Sequence, residues 1–132
     1  MKFFEQSDDV REVYNYVRAT DYGLERLKTL PVSLRLIREI HEKLMENVRG
    51  ETFTPGDFRR SQNWIEPAGC TPSSTPYVPP PVEEMHQALD ALEKFIYANT
   101  QIPSLVRAGM IHYQFEAIHP FLDGNGRVGR LL

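Results

Sequence analysis

From Glu51 to Pro81 glycine, proline, serine and threonine crowd out any regular apolar spacing. On both sides of this stretch apolar residues recur three and four apart, the spacing of amphipathic helices. Within it only Ser61–Ile65 and Thr75–Val78 have the composition of short strands. The pattern predicts an all-α domain with, at most, a small β-hairpin flap over about 51–81. Roughly 30 residues without regular structure are uncommon inside a compact domain, and such loops often serve as lids.

Before the flap, one helix is predicted from about Asp9 to Leu27. Val10, Val13, Tyr14, Tyr16, Val17, Leu24 and Leu27 are its expected inner side, and Asp9 with Glu12 has the form of a capping box. Ser33 is a natural N-cap for a second helix to about Val48, with Leu34, Ile37, Ile40, His41, Leu44 and Val48 as its stripe. After the flap, Pro79-Pro80-Pro81 leads into a third helix to about Tyr97, with Met85, Ala88, Leu89, Leu92, Phe95 and Ile96 inward. Pro103 opens a fourth to about Glu116, with Leu105, Val106, Gly109, Met110 and Tyr113 inward. Arg127 to Leu132 starts a fifth.

At 132 residues the chain has the length of a single domain, spanning 1–132. Its formal charge of −3 gives no basic stripe for nucleic acid, so any affinity for phosphates must come from local arginines. Cys70 is the only cysteine, which excludes an intrachain disulfide. The opening Met1-Lys2-Phe3-Phe4 is too short an apolar run for a secretion signal, and no membrane span is present. A cytoplasmic location is the expectation.

The chemistry concentrates in residues 119–130, His-Pro-Phe-Leu-Asp-Gly-Asn-Gly-Arg-Val-Gly-Arg. Gly124 and Gly126 flank Asn125 in a turn that runs into a helix, so backbone N–H groups are turned outward. Arg127 and Arg130, three apart, face the same side, a pairing suited to a di- or triphosphate. Asp123 would repel bare phosphate, but Mg²⁺ between them reverses the sign. His119 at the mouth of the loop can accept a proton from an attacking hydroxyl. A turn alone needs neither a histidine nor an arginine pair, and their joint presence favours a site.

This stretch matches the Fic signature, His-x-Phe-x-(Asp/Glu)-x-Asn-Gly-Arg-x-x-Arg, at every specified position. Phe58–Ile65, Tyr77–Pro81 and His112–Ile118 also resemble Fic domain sequence, so the resemblance covers most of the chain. It implies a helical domain that transfers AMP from ATP to a serine, threonine or tyrosine hydroxyl of a target protein. By the same resemblance His119 would be the general base and Asp123 would hold Mg²⁺. Asn125, with the amides around Gly124 and Gly126, would bind the α-phosphate. Arg127 and Arg130 would hold the β- and γ-phosphates, and Phe121 would anchor the loop. Asn63, Trp64 and Ile65 would belong to a flap that docks the target by strand pairing. Glu66-Pro67 follows where relatives often have two glycines, so that pairing is expected to be shorter or shifted.

Two further expectations follow. Gly126 stands where Doc-like kinases have lysine, which favours nucleotidyl over phosphoryl transfer. Many Fic proteins carry an inhibitory helix, (Ser/Thr)-x-x-x-Glu-(Gly/Asn), whose glutamate pairs with the second motif arginine, here Arg130. No serine or threonine of this chain begins that pattern. Fic domains add helices beyond the motif, so the chain is expected to be a fragment, with weak ATP binding unless another segment covers Leu131 and Leu132. The alternatives are a non-catalytic Fic remnant, a different Fic chemistry (another nucleotide, phosphocholine or AMP removal), and a zinc hydrolase using His112, Glu116, His119 and Asp123.

Overall fold

A computed structural model describes residues 2–48, 54–63 and 77–132, with side chains of the first helix described from Asp9 onward. Five helices follow in order: α1 (Lys2–Arg26), α2 (Leu34–Leu44), α3 (Val82–Tyr97), α4 (Ser104–Ile118) and α5 (Asn125–Leu131). The all-α expectation holds. Trp64, Ile65 and most of the expected hairpin lie outside the described residues.

Helix α2 starts as its sequence predicts. Ser33 is extended, and its side-chain oxygen accepts the Leu36 N–H at 3.2 Å. The helix ends at Leu44, short of Val48. Its last carbonyls find a donor on the neighbouring helix: Asn15 Nδ2 donates to Leu44 O at 3.2 Å and to Glu46 O at 2.6 Å. A buried asparagine thus caps α2 from α1 and removes orphan acceptors at that end.

Helix α1 begins at Lys2, so Asp9 and Glu12 lie inside it and form no capping box. Its inward face also differs from the expectation. Asn15, Ala19 and Gly23 are buried, whereas Val10, Val13, Tyr14, Val17, Leu24 and Leu27 are exposed. The reason is the close approach to α2. Small side chains let the helix axes come together, and they bring the polar Asn15 to the α2 terminus.

A polar cluster closes the far end of the same pair. Arg26 Nε meets Glu39 Oε1 at 2.9 Å, Arg35 Nε meets Glu39 Oε2 at 3.1 Å, and Tyr22 donates to the same carboxylate. The Arg26 and Tyr22 hydrogen bonds lower the Glu39 pKa to about 2. A depressed carboxylate contributes stability above its unfolded pKa and loses it as pH falls through the folded one. Acid melts are therefore expected to show a loss of about 1 kcal/mol from this cluster between pH ~4.5 and ~2. In Glu39→Gln that part of the slope should vanish. A variant with the unchanged slope would remove Glu39 as its source.

Helix α3 buries Met85, Leu89 and Leu92 as expected. Glu83 and Glu84 in its first turn complement the helix dipole. Helix α4 reverses the expectation. Leu105, Val106, Met110 and Tyr113 are exposed, and Phe115 and Ile118 enter the core. Val106, Gly109, Met110 and Tyr113 instead line an open apolar groove against Leu92 and Phe95. The core joins Leu36, Ile37, Ile40 and Leu44 of α2 to Met85 and Leu89 of α3, Phe115 of α4, Phe121 and Val128. It lies directly under residues 119–128.

Candidate functional site

Helix α4 stops at His119, which is left-handed at φ 51°, ψ 61° and still gives its backbone N–H to Phe115 O at 3.0 Å. Pro120 turns the chain, and Phe121 drops into the core with no exposed surface. Its ring stacks on the His41 imidazole, 3.8 Å between centroids and 3° between planes. Phe58 and Phe115 flank it at 5.3 and 6.4 Å. Phe121 is thus the anchor that the resemblance implies.

The turn above this anchor closes on itself. Phe121 N–H donates to Asn125 Oδ1 at 2.8 Å, and Asn125 Nδ2 donates to Phe121 O at 2.7 Å. Asn125 is 2% exposed. Its carboxamide is therefore engaged in holding the loop, and what it offers outward is chiefly backbone. Gly124 sits at φ 85°, and a Cβ there would lie 2.9 Å from Met45 Sδ and 3.3 Å from His41 Nε2. Only glycine fits both the dihedral and the space.

His41 supports this turn from below. Gly56 N–H donates to His41 Nδ1 at 2.9 Å, so the neutral ring carries its proton on Nε2 and gives it to Asp123 O at 2.8 Å. Burial, first, pushes the His41 pKa down to about 4, so this tautomer holds at neutral pH. The sequence placed His41 on the apolar stripe of α2 but assigned it no role. A histidine among core positions was the available signal.

The predicted site residues converge. His119, Leu122, Asp123, Gly124, Asn125, Gly126, Arg127 and Arg130 line a single cavity of about 290 Å³. Asp123 Oδ1 accepts the Gly124 N–H at 2.8 Å, while its Oδ2 stands 3.6 Å from Arg127 Nη2. Arg127 Nη1 is buried, has no hydrogen-bond partner among the described residues, and lies 4.0 Å from Glu12 Oε1. Arg130 is exposed, with Nη1 above Gly126. Gly129 lets α5 settle on α4, since a Cβ there would be 2.0 Å from Glu116 Oε1.

His119 is half-buried at the rim. Desolvation lowers its pKa, helped by the Arg59 charge, against the Glu116 carbonyl and Asp123, which raise it. Its Nδ1 is 3.4 Å from Glu116 O. With the proton on Nδ1, the Nε2 lone pair is the basic atom.

The other sequence-predicted residues fare differently. Asn63 Nδ2 donates to Phe121 O at 3.1 Å and His119 O at 3.3 Å, which ties this part of the flap segment to the motif. The zinc set does not assemble. His119 ends the helix in a left-handed turn, and His112 Nδ1 pairs with Gly129 O at 2.9 Å. No group of three or more metal-ligating side chains occurs among the described residues. Nor is any described helix long and apolar enough to cross a membrane.

Comparison with known proteins agrees with this geometry. The chain is 28% identical over 128 residues to "Protein adenylyltransferase Fic" of Drosophila grimshawi, covering 95% of this chain and 24% of that protein. It thus spans about a quarter of the length of such relatives. A Fic family protein from Desulfovibrio desulfuricans G20 superposes with a TM-score of 0.66 at 29% identity, over 88% of this chain and 34% of that one. A Fic domain containing signaling protein from Bacteroides thetaiotaomicron VPI-5482 gives 0.67 at 26%, over 89% and 45%. Residues 31–132 match the Fic/DOC family, and the chain belongs to it.

Proposed function

We propose that this chain transfers AMP from ATP to a serine, threonine or tyrosine hydroxyl of a target protein. One observation carries the reading: a basic imidazole, a carboxylate and two guanidinium groups line one cavity. Two guanidinium groups on one concave surface suit an anion with several phosphate oxygens. The relatives named adenylyltransferase point to ATP as that anion.

In this reading Arg127 and Arg130 hold the β- and γ-phosphates, and the N–H groups around Gly124, Asn125 and Gly126 face the α-phosphate. Asp123, which lines the cavity with its Oδ1 fixed by Gly124 N–H, would hold Mg²⁺. Bound there, Mg²⁺ supplies positive charge to the phosphate oxygens. His119 Nε2 takes the proton from the target hydroxyl, whose oxygen bonds to the α-phosphorus. The bond from that phosphorus to the bridging oxygen breaks, and pyrophosphate leaves with the electron pair toward the arginines. Asn63, Trp64 and Ile65 are proposed to dock the target segment, and Arg130, being exposed, is where an inhibitory segment would act. A non-catalytic remnant would keep the nucleotide without turnover.

The test uses two labels. With Mg²⁺ and a cell lysate, adding the chain is expected to increase protein marking by ATP labelled at the α-phosphate over lysate alone. Marking by ATP labelled at the γ-phosphate, which the lysate's own kinases supply, is expected to stay unchanged. An increase with the γ-label alone would replace nucleotidyl by phosphoryl transfer, and an increase with neither, with ATP bound, would favour the remnant.

A further inference from the structure

Arg59 is 1% exposed, and no carboxylate pairs with it among the described residues. Among the described residues its guanidinium donates to carbonyls alone. Nε donates to His119 O at 2.9 Å, Nη1 to Ser61 O at 3.1 Å, and Nη2 to Pro80 O and to Ile118 O. Its own backbone N–H donates to Pro120 O at 2.8 Å. Burying a cation without a counter-ion is costly, so a structure that does so must recover the cost elsewhere. Here the charge sits at the C-terminus of α4, where the helix dipole is negative.

The carbonyls chosen are informative. His119 is not glycine, yet it is left-handed, a conformation that persists only where its surroundings over-determine it. Arg59 grips the carbonyls of residues 118 and 119 and, through its main chain, that of residue 120. The same guanidinium reaches Ser61 and Pro80, both within the 51–81 segment that contains Arg59 itself.

We infer that Arg59 is a positioning residue for His119: it fixes the left-handed turn that aims the imidazole into the cavity, and it couples that aim to the flap segment at Ser61 and Pro80. The inference rests on the reading of His119 as the base. The charge also acts on the ring. Desolvation is the larger influence that lowers the His119 pKa, and Arg59 adds to it. The other charged groups that face the ring are Asp123, which opposes, and Arg127 and Arg130 across the same cavity, while Glu116 offers its backbone carbonyl.

The variants are Arg59→Lys, which keeps the charge and loses the fork, and Arg59→Met, which loses both. Lysine is expected to lower kcat for α-label transfer about tenfold or more while the KM for ATP moves less than about threefold, because aim suffers and the phosphate site does not. Methionine should also raise the His119 titration midpoint, followed by NMR of labelled imidazole, and shift the acid limb of the rate profile upward. Folded variants with unchanged kcat and an unchanged midpoint overturn the proposal, as does a kcat loss matched by an equal loss of ATP affinity. The NMR midpoint needs no turnover, so it decides the coupling even if His119→Ala labels like the native chain and the base assignment fails. Should neither variant fold, a scalar coupling across the hydrogen bond from Arg59 Nε–H to the His119 carbonyl carbon is expected in the native chain, and its absence overturns the geometry.

Discussion

Replacing His119 with alanine is expected to lower α-label transfer by about 10²–10⁴-fold, the usual contribution of a positioned general base. The change should leave the site otherwise assembled. Arg59 and Asn63 hold the backbone carbonyl at this position, and alanine keeps it. Left-handed alanine costs about 1–2 kcal/mol, too little to unfold an ordinary domain. ATP affinity should stay within a few-fold, because the proposed phosphate contacts are those of Arg127 and Arg130, which the substitution leaves in place. The pH profile supplies an independent check. A base whose pKa lies below the usual histidine value is already unprotonated at neutral pH, so the native rate should be flat near pH 7 and fall only on the acid side. A variant that labels as fast as native protein would end the role of His119, and a native acid limb above pH ~6.5 would contradict the lowered pKa.

The second large effect is structural. Phe121→Ala is expected to cost about 3–5 kcal/mol, measured by urea unfolding. Phe121 has no exposed surface and touches the His41, Phe58 and Phe115 rings. Its removal leaves a cavity under the turn that Asn125 closes. Transfer should fall as well, in molecules that remain folded, because Asp123 and Gly124 lose the floor that His41 and Phe121 provide together. A loss under about 1 kcal/mol would mean that the site collapses freely, and that the loop is held by Asn125 without the ring.

The fold class and the site were legible for different reasons. The starts of α2 and α3 were marked by Ser33 and Pro81, whose chemistry is local, and local signals survive tertiary packing. The inward faces of α1 and α4 were not legible. Periodicity shows that Val10, Val13, Tyr14 and Val17 share a side, but not that α1 would approach α2 through Asn15, Ala19 and Gly23. On α4 the apolar spacing continues to Tyr113, while burial is decided by contact with Phe121, a residue outside the helix. The motif stood out because a turn needs neither a histidine nor an arginine pair. Arg59 and His41 were passed over because their work is done on backbone carbonyls and amides, partners that no side-chain pattern records.

The reciprocal bonds between Asn125 and Phe121 also bear on how this protein ages. An asparagine followed by glycine is the pair most prone to lose its amide nitrogen, through attack of the next residue's nitrogen on the side-chain carbonyl carbon. Here that carbonyl oxygen and its amino group are both held at the start of a helix. The ring closure requires the loop to open first, so spontaneous conversion to aspartate at position 125 is expected to proceed at the pace of local unfolding.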